Sequence, residues 1–227
     1  MRRVYLATLL IGLVWGAAFP QAAGVGGGGP LWGLLLLDFT ELNSSLSAAG
    51  FPALPEGMVL NGGGGRGGVV NGLLLGGMGF GGTLEVREEG RAATFEFGCG
   101  LFSLEHAIGL GRQALVGLGV GLGGGAASLE LRSRWPEDFQ DALSAPTMTR
   151  LEASFFSALL YLRFQVQPWD WLGLEAWAGY LVSLPVPWQE GGRDLSGPQF
   201  SLQAPFFGLS AALGGMEEEA PPAGPSG

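Results

Sequence analysis

The chain alternates in steps of two, and the alternate residue is so often glycine that helix is excluded over much of its length. In Leu115-Val116-Gly117-Leu118-Gly119-Val120-Gly121-Leu122 the even positions are Val, Leu, Val and Leu, and the odd ones are mostly Gly. Across Thr94 to Leu101 one face is Phe95, Phe97, Cys99 and Leu101, and the other is Thr94, Glu96, Gly98 and Gly100. A period of two is the signature of a strand, whereas each Gly inside a helix costs about 1 kcal/mol relative to Ala. Glycine makes up 43 of 227 residues, yet 47% of the chain is hydrophobic and only 14% charged. A disordered glycine-rich linker has the opposite balance. The combination implies tightly packed strands or a membrane protein.

Eight alternating segments can be read, at 30–39, 58–70, 73–87, 92–105, 114–132, 150–167, 172–184 and 198–213. Their connections alternate in length. Asn71-Gly72 is a hairpin turn of the kind that needs positive φ. Gly109 to Arg112 and Pro168 to Asp170 are likewise short. The connections 40–57, 88–91, 133–149 and 185–197 are mostly longer and polar. Short turns on one side and long loops on the other predict an all-β fold, an eight-stranded antiparallel up-and-down transmembrane β-barrel. An even strand number puts both termini on the short-turn side, which is the periplasm in a bacterial outer membrane.

The first 23 residues read as a signal peptide: Arg2-Arg3, an apolar run from Val4 to Trp15, then small residues with cleavage expected after Ala18 or Ala23. The apolar run is short for a membrane-spanning helix. The barrel is assigned to 24–215, and the acidic, Pro-rich stretch 216–227 to a disordered tail. Without Arg2 and Arg3, nine arginines face 20 carboxylates, and the chain has no Lys. Such a chain is a poor nucleic-acid binder. The single Cys99 excludes an intrachain disulfide.

The expected lipid-facing set is Leu74, Met78 and Phe80; Phe95, Phe97, Cys99 and Leu101; Val116 to Leu122 on even numbers; Leu160, Leu162 and Phe164; and Leu172, Leu174 and Tyr180. The expected lumen set holds the glycines at 77, 79, 81, 98, 100, 117, 119 and 121, bare positions against which Tyr161, Arg163 and Trp177 fit, since an eight-stranded barrel is just wide enough for side chains to fill. A polar lumen network of Glu85, Glu96, Glu130, Arg132, Arg163 and Glu175 follows, with Arg66 as a further partner. Its carboxylates outnumber its arginines, which calls for waters or a bound cation. Keeping Glu130 and Arg132 inside requires a bulge at Gly123-Gly124-Gly125, and Pro205 marks a second change of parity. Trp32, Trp169 and Trp171 at the short-turn end, and Trp135 and Trp188 at the long-loop end, form the expected aromatic girdles.

The blocks Gly62-Gly63-Gly64-Gly65-Arg66-Gly67-Gly68-Val69-Val70-Asn71 and Gly76-Gly77-Met78-Gly79-Phe80-Gly81-Gly82 resemble a family of small glycine-rich bacterial outer-membrane β-barrel proteins. So do Gly28-Gly29-Pro30, Thr40-Glu41-Leu42-Asn43 and Asp194 to Pro198. The resemblance covers most of 28–213 and implies a barrel with no catalytic residues. The chain departs from many outer-membrane barrels in its end: the last strand closes on Leu213 and a tail follows, in place of a terminal aromatic residue.

No enzyme chemistry assembles. Gly63, Gly65 and Gly68 match a dinucleotide motif, but no helix follows. His106 is the only histidine, and Ser103 lies three residues from it, on the opposite face of a strand. No catalytic, cofactor or metal site is assigned. The expected partners are the lipid bilayer and the barrel-assembly machinery, and the expected role is structural or loop-mediated recognition. Two alternatives are a soluble exported barrel binding an apolar molecule, as lipocalin-like barrels do, and a membrane-embedded lipid hydrolase. Against the soluble barrel stands the scarcity of charge.

Overall fold

In the computed structural model, which describes residues 24–111, 113–144 and 148–216, the alternating segments pair into one closed sheet. The barrel strands are β1 (Gly24–Leu36), β2 (Gly57–Val69), β3 (Gly72–Glu88), β4 (Arg91–Gly109), β5 (Ala114–Arg132), β6 (Met148–Trp169) and β7 (Leu172–Ser183). A two-residue hairpin, β8 (Gln189–Glu190) and β9 (Arg193–Asp194), precedes the last barrel strand, β10 (Gln203–Met216). Helices α1 (Thr40–Ala48) and α2 (Phe139–Ser144) lie in two of the long connections. Every barrel strand pairs antiparallel with its neighbours, and the β1–β10 and β5–β6 ladders close the ring. Residues 1–23, read as a signal peptide, and 217–227 of the stretch read as a tail lie outside the described residues, while Met216, the first residue of that stretch, ends β10.

The register fixes the shape of the cylinder. Stepping across the ladders from Val25 leads to Gly68, Leu74, Glu105, Gly119, Tyr161, Gly179, Phe206 and back to Leu35 on β1. One circuit therefore returns ten residues higher. With strands about 4.8 Å apart rising about 3.3 Å per residue, that stagger tilts them by about 40°. All nine residues on the path point inward.

The short turns match the expected side, shifted by a residue or so. Val70-Asn71, with Asn71 at φ 57°, joins β2 to β3. Asp170-Trp171 joins β6 to β7. β1 begins at Gly24, six residues before the segment read from sequence, because Gly24 to Gly29 pair with the glycine run of β2. Backbones so bare on both sides lie flush; at Gly28 an added Cβ would stand 2.6 Å from the Gly64 carbonyl oxygen.

The face assignment holds for three strands, β5 to β7, and inverts for two, β3 and β4. On β5, β6 and β7, Leu118, Leu122, Leu160, Leu162, Phe164, Leu174 and Tyr180 are exposed on the outside, as expected. On β3 and β4 the greasy stripe turns inward: Leu74, Met78, Phe80, Phe95, Phe97, Cys99 and Leu101 are buried. Gly77, Gly79, Gly98 and Gly100 face outward instead, and a Cβ at Gly98 or Gly100 would meet nothing within 4 Å. Neither face of these two strands carries charge through its middle, so hydropathy alone cannot tell them apart. The bulge at Gly123 to Gly125 is absent, since β5 pairs without a break from Ala114 to Arg132 on one side and Ala92 to Gly109 mark it on the other. Pro205 likewise sits in an unbroken register with β7.

The outside of the barrel is a belt. Between the Trp169–Trp171 end and the level of Gln203, the outward positions of the described strands carry no Asp, Glu or Arg. Pro30, Trp32 and Leu34, Phe102 and Ile108, and Phe207, Leu209 and Leu213 continue the surface described for β5 to β7. Asn61 and His106 are the polar interruptions within it. The belt spans about twelve residues of each tilted strand, or about 30 Å along the axis, tall enough for the apolar band of about 25 Å on outer-membrane barrels. β3 to β6 run on beyond it, and there Glu85, Glu96, Glu130, Arg132, Arg150 and Glu152 appear on the outer surface.

Candidate functional site

The lumen is filled in layers. At the short-turn end Val25, Leu74, Ala107 and Leu115 make a small apolar plug. Above it lies a charged layer. Arg163 on β6 donates from Nε to Glu105 Oε2 at 3.0 Å, with a second guanidinium bond to Glu105 Oε1. Its Nη1 reaches Gln165 Oε1 at 2.6 Å and Glu175 Oε1 at 3.4 Å. From the far wall Arg66 on β2 donates to both oxygens of Glu175 and, at 3.0 Å, to Gln165 Oε1. Ser210 donates to Glu175 and accepts the Trp177 indole N–H at 2.8 Å. The side chains of Arg163 and Glu105 are 0% and 1% exposed.

Glycines make room for this layer. A Cβ at Gly117 would strike the Glu105 carboxylate, and one at Gly119 the Tyr161 ring. One at Gly173 would lie 2.7 Å from Gln165 Nε2. These inward glycines act as the sequence suggested; the outward ones on β3 and β4 do not. Two carboxylates face two arginines, so the layer is neutral within itself. Among the described residues no buried side-chain nitrogen or oxygen lacks a partner. The cavity beside Arg66, Glu175 and Ser210 is about 20 Å³, room for about one water. The expected excess of carboxylate, and with it the need for a bound cation, is corrected.

Of the six residues assigned to the network, Arg163 and Glu175 are in it. Glu85, Glu96, Glu130 and Arg132 point outward above the belt. There Glu85 pairs with Arg87 at 2.6 Å, Arg132 with Glu130 at 3.3 Å, and Glu96 accepts from Ser128 at 3.1 Å. They need no lumen because their strands have already left the apolar belt. Glu105 was missed as a network member, and so were Gln165's bridging role and Ser210. Glu105 shares parity with Phe95 to Leu101, so it would have faced hydrocarbon had that stripe done so. A carboxylate facing lipid is unfavourable, though less so than an Arg or Lys at the midplane, and that conflict was the available signal.

Above the charged layer Tyr161 and Trp177 pack at 5.0 Å between ring centroids. Then the lumen becomes apolar. Phe206 stacks on Phe80 at 5.2 Å, and Phe97 on Phe155 at 5.8 Å. Phe155 meets Phe200 at 5.2 Å, and Phe95 meets Phe39 at 4.9 Å. The last two contacts carry the core out of the barrel into a cap. Leu46 of α1, Leu54, Trp188 and Leu202 complete that cap. Asn43 anchors it by holding the Leu54 backbone on both sides, donating to its carbonyl at 2.9 Å and accepting its N–H at 2.8 Å. The segment read as a loop thus contains a helix that closes the mouth.

The tryptophans are corrected in part. Trp169 and Trp171 are exposed at the short-turn rim, 6.2 Å apart and stacked. Trp32 is exposed too, but two-thirds of the way up β1, opposite Asn61 and Leu209. Trp135 lies beyond β5, with the guanidinium groups of Arg87 and Arg132 over its ring at 4.9 and 4.5 Å from the centroid. Trp188 is buried in the cap, 5.4 Å from Phe200. On β4, Ser103 points into the lumen and His106 out of it. Beyond the belt, two hydrogen bonds from Arg134, at 2.5 and 2.6 Å, hold the Asp141 carboxyl below the usual carboxylate range.

No family model matches the chain, and no curated protein matches it. Two solved structures of Ail, the attachment invasion locus protein of Yersinia pestis, are similar to it in part. The one in complex with the heparin analogue sucrose octasulfate has a TM-score of 0.49 at 10% identity, and another has 0.44 at 11%. Each match covers 86% of this chain and 99% of the other. A likeness at this level transfers no residue and no ligand.

Proposed function

We propose that the chain is an exported bacterial outer-membrane protein, inserted by the barrel-assembly machinery after loss of its leader, with both termini in the periplasm. Its lumen is a packed core and not a conduit, it performs no catalysis, and its exposed business end is the capped, long-loop side. The uncharged belt, about 30 Å tall around a closed barrel and so able to hold the apolar band of about 25 Å, carries this reading. A soluble lipocalin-like barrel would leave a ligand-sized cavity inside; here aromatic rings, a charged layer and a lower plug occupy that space. A hydrolase would need Ser103 and His106 on one face, and they are on opposite faces.

The long-loop side is acidic. Segments 37–56, 88–91, 133–147 and 184–202 together hold ten carboxylates and three arginines. That charge disfavours a polyanion, so recognition here differs in chemistry from the sulfated sugar bound by Ail in the complex above.

The test is heat-modifiable gel mobility of the detergent-extracted protein, combined with labelling of a cysteine placed at Ser196 on intact cells. A boiling-dependent shift and labelling without permeabilisation are expected. A soluble, unshifted protein would refute the membrane assignment.

A further inference from the structure

A cleft opens on the long-loop side, between the start of α1 and the segment that leads into β10. Its volume is about 400 Å³, within the range of small-ligand clefts. Phe39, Trp188 and Phe200, each about 5% exposed, form the floor. The mouth is polar: the carboxylates of Asp38 and Glu41, the carboxamides of Gln199 and Gln203, and the hydroxyls of Ser201 and Tyr180. Asp38 accepts the Thr40 backbone N–H at 2.9 Å. Glu41, Gln199, Ser201 and Gln203 have side chains with no hydrogen bond to another described residue. No arginine lines the cleft.

These groups have a shared preference. Two carboxylates can each accept from neighbouring hydroxyls or from an ammonium group, while carboxamides and hydroxyls both donate and accept. A sulfated or phosphorylated ligand would meet like charge with no cation to offset it. An apolar ligand would strip water from six polar side chains without replacing their hydrogen bonds. A ligand dense in hydroxyls satisfies all of them, and the partly exposed Tyr180 ring at the edge offers a flat apolar surface for a sugar's C–H face. Asp38 is an acceptor at neutral pH, as any solvent-exposed aspartate is, and its hydrogen bonds from Thr40 lower its carboxyl further.

We propose that this cleft binds a saccharide of one or two rings that is uncharged or carries amino groups. The proposal rests on the reading that the long-loop side is extracellular. Tyr180 and Gln203 stand at the top of the apolar belt, so the cleft opens at headgroup level. A free glycan and the head sugar of an outer-leaflet glycolipid therefore present the same chemistry to it.

The experiment uses the mature barrel in phospholipid nanodiscs, with saturation-transfer NMR on four probes: lactose, the disaccharide of glucosamine, its N-acetylated form, and a sulfated disaccharide. Transfer to at least one of the first three is expected, and little to the sulfated one. Asp38→Asn with Glu41→Gln and Gln203→Ala together should weaken binding at least tenfold, whereas Glu85→Gln, outside the cleft, should not. Nanodiscs containing a glycolipid with the same head sugar separate the sources. Loss of the free probe's signal points to the headgroup, and an undiminished signal to free glycan; both support the site. Stronger transfer to the sulfated probe, an unaffected triple variant, or no transfer to any saccharide would overturn it. Retained heat-modifiable mobility and surface labelling in the same samples show that such a failure belongs to the cleft and not to the barrel's placement.

Discussion

The lower and upper halves of this lumen are built from opposite materials. Near the short turns, Arg66, Arg163, Glu105 and Glu175 fill the cylinder with a neutral charged layer. Toward the mouth, phenylalanines fill it from Phe206 to Phe39 and continue into the cap. The two halves should fail in different ways. Where charges are sealed between apolar layers, the balance of charge sets stability; where rings are packed, volume does. Sheet and radius are common to both, so the difference lies in side chains alone.

Breaking the charge balance and emptying the ring stack should have the largest effects, and they should differ in what rescues them. Arg163→Met leaves Glu105 buried and unpaired and should cost about 3–5 kcal/mol, read as a lower urea midpoint for the refolded barrel in vesicles. Adding Glu105→Leu should recover most of that loss, because the remaining Arg66–Glu175 pair is neutral. If the double variant were no better than the single, charge would not be what the lower half depends on. In the upper half Phe155→Ala should cost about 3–5 kcal/mol and Phe155→Leu clearly less. There no second polar change should rescue it.

Glycine sharpens the contrast further. Gly119→Leu would drive a side chain into Tyr161 and should cost about 1–3 kcal/mol or block assembly through overpacking. Gly100→Ala, on the outer face with open space around it, should be neutral or stabilising by about 0.5–1 kcal/mol. Equal penalties at the two sites, measured by the same unfolding assay, would mean that inside and outside are misassigned.

The smallest effect lies outside the barrel. Asp141 has its folded pKa held below the ordinary 3.8 by Arg134. The order it gives the α2 region is complete above the unfolded carboxylate value, about 3.9, and is lost as pH falls through the folded one. The protection factor of the Glu137 amide, whose N–H donates to Asp141 at 3.1 Å, should therefore be flat from pH 8 to 5 and fall only below about pH 4. The two lumen halves should not respond over the flat range.

Strand number, antiparallel order and the alternation of short and long connections were legible, because period two and turn residues are local signals. So were the inward positions of Tyr161 and Arg163 on β6, whose outer face carries Leu160, Leu162 and Phe164, and of Trp177 on β7, whose outer face carries Leu174 and Tyr180. The facing of β3 and β4 was not legible from apolar pattern. Glycine toward lipid and phenylalanine toward a capped core are both stable, and the two faces trade places without exposing a charge. Glu105 alone breaks that symmetry, since only one parity keeps it out of hydrocarbon. Glu85, Glu130 and Arg132 misled for a related reason. Parity says which face a residue is on but not its height, and these three stand where the outer face is already in water. The cap was hidden too, because Leu46 and Trp188 lie in segments with polar composition and no alternation, and Phe200 alternates with Gln199 and Ser201 as a strand residue would, although the last strand begins only at Gln203.

The central claim is that layers of side chains seal a membrane-spanning cylinder from end to end. Planar-bilayer recording of the refolded protein, with insertion confirmed by its heat-modifiable mobility, tests it most directly. A flat baseline with no discrete steps across a range of applied voltages is the predicted result. Reproducible ion-conducting steps from the unaltered protein would contradict it.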